Sequence, residues 1–315
     1  MEVMTTPGGS GTMESGRSFV LDSVECVSPS GWGMTRPALH NDLLLTHQEC
    51  PMQVHSITPD VTLLSDCAEV PGLGFLPVNT FVLHAEQPVV VDTGLSNPDK
   101  DFVRDLSTVV DPSDVRWIWL THPDRDHTGG LFQLLEAAPH ARLITTFIGA
   151  GIMSTQWEVP LDRVYFLNPG QSLDIGDRTL TGYRPPLFDN PATVGFLESK
   201  GGAFFSSDCF GGPMPSADLA QGPDVREAPD LESAMMLWAA IDSPWARLVD
   251  PVKFHATIEP IRRLDPSAIF SSHLPPAQGL NDVLFNHVAA APNGPEFVGP
   301  DQQALEALLA SFEPG

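Results

Sequence analysis

From Gln53 onward the chain alternates short apolar runs with amphipathic stretches. VTLLS (61–65), NTFVLHA (79–85) and PVVVD (88–92) are β-branched or apolar and bounded by Gly, Pro or Asp, the pattern of strands. DKDFVRDLSTVV (99–110) spaces Phe102, Val103, Leu106 and Val110 along one helical face. DVRWIWL (114–120) has no polar alternation and predicts a strand buried on both sides, with Trp117 and Trp119 sharing one face as core residues. GGLFQLLEAAP (129–139) predicts a helix ended by proline. Strands are expected at 141–147, 162–167, 177–184, 192–199 and 202–208.

Residues 214–229 read as a polar, proline-bearing connection. Helices follow at 231–241 and 251–264, the second kinked or interrupted at Pro260 because proline removes a helix donor. SAIFSS (267–272) predicts a short buried strand and DQQALEALLASF (301–312) a closing amphipathic helix. Strand groups alternating with helices imply sheets covered by helices. Residues 1–40 are rich in Gly, Ser, Thr and Pro without periodicity, and are expected to form a disordered tail. Residues 41–315 then form one domain with a C-terminal helical extension.

Composition narrows the function. The 315 residues carry 16 Lys plus Arg against 40 Asp plus Glu, a formal charge of −24. Such a field repels phosphate backbones and anionic membranes, so neither nucleic acid nor membrane is expected as a partner. Cys26, Cys50, Cys67 and Cys209 are scattered, with no Cys-x-x-Cys pair, which fits a reducing cytoplasm. No apolar run approaches the ~20 residues of a spanning helix. The N-terminus lacks the basic start and apolar stretch of a secretory signal.

The candidate chemistry lies in THPDRDHTGG (121–130), between the buried strand and the next helix. His122, Asp124, Asp126 and His127 put four metal-ligating side chains within six positions. Imidazole and carboxylate suit zinc, iron or manganese, with carboxylates favouring harder ions. Alternate positions on such a loop can face two neighbouring metals.

VVVDTG (89–94) followed by this loop resembles the metallo-β-lactamase superfamily. The resemblance implies an αββα sandwich of α/β class, with the metals at one edge of its two sheets. In that family the loop reads His-x-His-x-Asp-His, whereas Asp124 stands here at the second histidine. A carboxylate there is similar to the flavodiiron and oxygen-binding diiron branch. AFFSSDCFGG (203–212) resembles that branch's strand ending, which implies that Asp208 bridges the metals. LDPSAIFSSHLPP (264–276) resembles the stretch holding its last histidine ligand, which implies that role for His273. Asp92 would brace the metal loop through hydrogen bonds.

The family's remaining histidine is missing. Leu187 stands at its aligned position, and no histidine occurs between His140 and His255. By resemblance, site one uses His122, Asp124 and that absent ligand, with Asp189 the candidate substitute. Site two uses Asp126, Asp208, His273 and His127. His40, His47, His55, His84, His255 and His287 are expected away from the site. Met235, Met236, Trp238 and Trp245 either wall a pocket or pack a helix on the sheet.

The expected cofactors are one or two transition metal ions, iron ahead of zinc or manganese. Three functions follow. The first is a non-haem iron redox protein acting on or sensing dioxygen or nitric oxide. Too little chain follows His273 for a flavodoxin domain, so an external electron donor is expected. The second is a metal-dependent hydrolase using a metal-activated water on a small-molecule substrate. The third is a degenerate fold that binds metal and partners without catalysis.

Overall fold

Residues 51–97 and 100–311 are described by the structure, a computed structural model. The first sheet runs in sequence order: β1 (Gln53–Thr58), β2 (Val61–Val70), β3 (Gly74–Leu83), β4 (Val89–Val91), β5 (Trp117–Trp119), β6 (Arg142–Thr145) and β7 (Val164–Phe166). Its strands are antiparallel from β1 to β4 and parallel from β4 to β7. The second sheet contains β8 (Ser172–Asp174), β9 (Thr179–Tyr183), β10 (Gly195–Glu198), β11 (Ala203–Phe205), β12 (Ala268–Phe270) and β13 (Ala277–Gln278), in the spatial order 13-12-11-10-9-8. Only β11 and β12 pair in parallel there.

The helices are α1 (Phe102–Leu106), α2 (Leu131–Ala137), α3 (Phe147–Met153), α4 (Ala217–Ala220), α5 (Leu231–Asp242), α6 (Pro251–Arg262), α7 (Asn281–Ala290) and α8 (Gln302–Ser311). Among the described residues, no helix is long and apolar enough to cross a membrane.

Strand periodicity explains the layering. In β5, Trp117 and Trp119 join Phe81 and Val91 of the first sheet and Phe196, Phe205 and Phe270 of the second, forming the core between the sheets. Ile118 faces the other way, onto Phe102 and Leu106 of α1 and Leu131 and Leu134 of α2. Both faces of β5 are therefore covered, which is why its sequence shows no polar alternation. Beyond the second sheet, Phe204 and Ile269 pack on Met235 of α5, Phe254 and Ile258 of α6, and Leu284 and Phe285 of α7. The result is the expected helix–sheet–sheet–helix sandwich.

Several element expectations change. The helix read at 99–110 is only α1, because Ser107 and Thr108 turn their hydroxyls onto the Val103 and Asp105 carbonyls where the helix ends. Helix α6 passes through Pro260 uninterrupted, with Phe254, Ile258 and Ile261 buried along its length. The connection at 214–229 contains the one-turn helix α4. His287 lies on α7 rather than in a tail. Strands β1, β8 and β13 and helices α3 and α7 were not foreseen. The tail expected at residues 1–40 lies outside the described residues, as do His40 and His47.

Candidate metal centre

Parallel pairing sends chain ends to a common edge. Strands β4 and β5 deliver Asp92 and the loop 121–130; β11 and β12 deliver Asp208 and His273. Asp92 ties the two groups together. Its carboxylate accepts from the Thr121 amide at 2.9 Å, the Thr121 hydroxyl at 2.9 Å, His127 Nδ1 at 2.8 Å and the Ser272 hydroxyl at 3.1 Å. Asp92, Ser207 and Phe210 all have left-handed backbones, with φ of 57°, 56° and 72°. Such conformations are costly for non-glycine residues and persist where surrounding contacts enforce them. Gly130 is required for a different reason: a side chain there would collide with the Phe102 ring that seats α1 on the loop.

The three loop and strand histidines share one design. His127 Nδ1 donates to Asp92, and His273 Nδ1 donates to the Pro77 carbonyl at 2.8 Å. His122 Nδ1 faces the Ser207 hydroxyl at 3.2 Å. A carbonyl can only accept, so the His273 proton sits on Nδ1 and its Nε2 presents a lone pair in the neutral ring. All three Nε2 atoms converge on Asp208. His122 Nε2 is 3.4 Å from Oδ2, while His127 and His273 Nε2 are 3.1 and 3.2 Å from Oδ1.

The remaining carboxylates divide between the two Asp208 oxygens. Asp124 and Asp189 approach His122 Nε2 at 3.6 and 3.7 Å. Asp126 approaches His127 and His273 at 3.6 and 3.3 Å. Ligand atoms of His122, Asp124 and Asp189 lie within 4.8 Å of one another, as do those of Asp126, His127 and His273, and of His122, His127 and Asp208. Leu187 instead is buried in the core beyond the second sheet. Asp189, two residues on, approaches His122.

Two buried atoms test whether a cation fits. His127 Nε2 and Asp208 Oδ1 have no hydrogen-bond partner; they are close to each other but not aligned for a bond. Unpartnered buried polar atoms are rare and costly. A cation between them satisfies both, and the donor set of imidazoles and carboxylates suits a transition metal.

The electrostatics carry the same excess of negative charge. Burial opposes protonation of the histidines, but Asp208 lifts His122, while Asp126, Asp92 and Asp208 hold His127 well above the usual imidazole range. Asp208 and Asp126 push His273 up to about 10 against the burial that disfavours its charge. Burial, then Asp208 and Asp124, raises Asp189 to about 6, although His122 pulls the other way. Burial, then Asp208 and Asp189, raises Asp242 to about 8.

Sequence reasoning left Trp238 between pocket wall and helix packing, and missed Asp242. Trp238 donates its indole N–H to the Asp208 carbonyl at 3.1 Å and lays its ring 4.9 Å from that of His273. Trp238 thus touches the site as well as packing α5 on the sheet. Asp242, at the end of α5, places a ligand atom within 4.8 Å of those of Asp189 and Asp208. Met235, Trp238, Ala239 and Asp242 recur at helical spacing, so a carboxylate on an otherwise apolar face was the available signal. His55 and His84 bond to the Gln221 carbonyl and Thr62 hydroxyl, away from the site. His255 is exposed on α6.

Comparison with known proteins shows what the chain is similar to. Residues 73–205 match the model of the Metallo-beta-lactamase superfamily. The anaerobic nitric oxide reductase flavorubredoxin of Salmonella typhi is 25% identical over 174 residues, which is 55% of this chain and 36% of that protein. The chain thus spans little more than a third of that relative's length. Among solved structures, the rubredoxin oxygen:oxidoreductase of Desulfovibrio gigas superposes with a TM-score of 0.65 at 20% identity, over 76% of this chain and 61% of that one. The flavodiiron protein of Giardia intestinalis gives 0.65 at 15% identity, over 77% and 60%. A fragment of a putative diflavin flavoprotein from Nostoc gives 0.62 at 14% identity, over 82% and 97%. At these identities the structural likeness is one of fold.

Proposed function

We propose, on the premise of a metallo-β-lactamase-fold chain that resembles the flavodiiron branch, that this protein is a non-haem iron redox protein with a two-metal centre, acting on dioxygen or nitric oxide. The observation that carries the reading is the pair of donor groups sharing Asp208, one oxygen turned to each. His122, Asp124, Asp189 and Asp208 would hold the first ion; Asp126, His127, His273 and Asp208 would hold the second. Iron held there would supply redox chemistry towards a diatomic ligand.

The chain's own residues do the rest. Asp92 and the Pro77 carbonyl fix two imidazoles so that their Nε2 atoms stay aimed at the ions. Asn190 holds Asp124 through a 2.9 Å bond from its side-chain amide. The histidines form a dry floor, 1% exposed, while Asp124, Asp126 and Asp189 line the open side at 42%, 30% and 29%. A small ligand enters from that side. Electrons come from an external donor protein, and the working compartment is the cytoplasm.

Metal content of protein purified from its native host, with gas consumption by the reduced protein, tests this. Two metal ions per chain, at least one of them iron, with reductant-dependent uptake of dioxygen or nitric oxide support it. Zinc with no gas uptake refutes it and favours the hydrolytic reading, in which the same donors activate a water.

A further inference from the structure

The two halves of the centre differ in chemistry. Around Asp208 Oδ1 the donors are two imidazoles, His127 and His273, and one further carboxylate, Asp126. Around Asp208 Oδ2 they are one imidazole, His122, and the carboxylates Asp124 and Asp189. Helix α5 adds Asp242 to this second group, in mutual reach of Asp189 and Asp208. None of these four carboxylates pairs with a lysine or arginine among the described residues, and the ion-pair partners they have are histidines.

We propose that the position beside His122 is an oxygen-rich site that selects a harder divalent cation, Mn2+, while the position between His127 and His273 takes Fe2+, so that the centre is heterometallic. The proposal rests on the dinuclear reading above and deepens it. Mn2+ binds most weakly of the common first-row divalent ions at a given site, so selectivity for it has to come from ligand type. Carboxylate oxygen is that ligand type, and imidazole shifts preference towards iron and zinc. Asp189 occupies the role expected of a histidine at Leu187, and this exchange alone replaces a nitrogen donor with a charged oxygen donor. Asp242 adds a further carboxyl oxygen, within 4.8 Å of ligand atoms of Asp189 and Asp208, from an element outside the loop and strand ends that supply the other ligands. Asp208 keeps the two ions adjacent while leaving their other ligands distinct.

Metal-free full-length protein given equal Fe2+ and Mn2+ without oxygen, then crystallised and measured at both absorption edges, reads each position separately. The expected result is manganese concentrated beside His122 and iron between His127 and His273. Equal ratios at the two positions overturn the proposal while leaving the dinuclear reading intact. No anomalous peak on either side of Asp208 overturns both. Asp189→His should shift the His122 position towards iron and leave the other unchanged; an unmoved ratio counts against the proposal. Should that variant fail to fold, Asp242→Asn serves instead, with Mn2+ affinity followed by paramagnetic resonance of the free ion. The expected loss is about 10–100-fold, and an unaltered affinity overturns the assignment.

Discussion

Two clusters of buried charge sit at opposite ends of the same strands, and they are neutralised in different ways. At one end, the Arg178 side chain is fully buried and meets Asp177 at 2.8 Å, Asp60 at 2.9 Å and Glu198 at 3.3 Å. Asp60 lies in the β1–β2 turn and Glu198 ends β10, so this guanidinium ties the two sheets together. At the other end, Asp92, Asp124, Asp126, Asp189 and Asp208 surround three histidines without a lysine or arginine ion pair among the described residues. The first cluster carries its own cation. The second leaves His127 Nε2 and Asp208 Oδ1 unpartnered. Buried anions need a positive partner. A side chain supplies it where the job is structural, and the second cluster is left to take its cation from solution.

The largest break in this comparison is Asp208→Ala. It removes the group shared by both positions, and bound transition metal should fall to near zero by elemental analysis, with the fold kept by circular dichroism. Full metal content in this variant would falsify the ligand assignment.

Arg178→Met attacks the other cluster and should act on stability alone. It strands Glu198, 2% exposed, beside two further carboxylates. Removing one partner of a buried pair costs about 3–5 kcal/mol. Denaturant unfolding should show that loss, added metal should not recover it, and metal stoichiometry should stay at the parent value. A variant that loses metal in proportion to stability would show the two ends to be coupled.

Leu187→His is a smaller test. If Asp189 completes the position beside His122, the new imidazole adds no metal. It also disturbs a buried leucine, at a cost of about 0.5–3 kcal/mol. Higher metal occupancy on titration would return the vacancy to the Leu187 position.

Removing residues 1–35 should have the smallest effect of all. Their composition lacks the apolar periodicity that offsets an ordering cost of about 1–2 kcal/mol per residue. A truncated protein that aggregates or loses metal would contradict that reading.

Much of the candidate centre was legible in the chain because its candidate ligands occur in dense local patterns. His122, Asp124, Asp126 and His127 fall on one loop, and a strand followed by a glycine-ended loop states its own geometry. Asp208 and His273 were readable only through the resemblance of their stretches to the diiron branch, each lying three residues beyond a short apolar strand. The two-faced burial of β5 was equally plain, since an unbroken apolar run needs cover on both sides. Helix ends were less so. Hydroxyls at Ser107 and Thr108 coincide with the end of α1, and Pro260 did not interrupt α6, because packing overrides propensity in both directions.

What the sequence determined by itself was therefore which segments form strands and helices, and the gathering of His122, Asp124, Asp126 and His127 on one loop, set by periodicity and local spacing; the order of the layers came from the resemblance. Only the tertiary structure decided which donors meet. It set Leu187 in the core and brought Asp189 up to His122. It joined Asp92 to Ser272 across 180 positions. It also carried Asp242 and Trp238 in on α5, a helix whose amphipathic pattern is satisfied by packing anywhere on the sheet. Local pattern fixes which face of an element is buried. Which other chain segments wait against that face is settled by the packing of the whole domain.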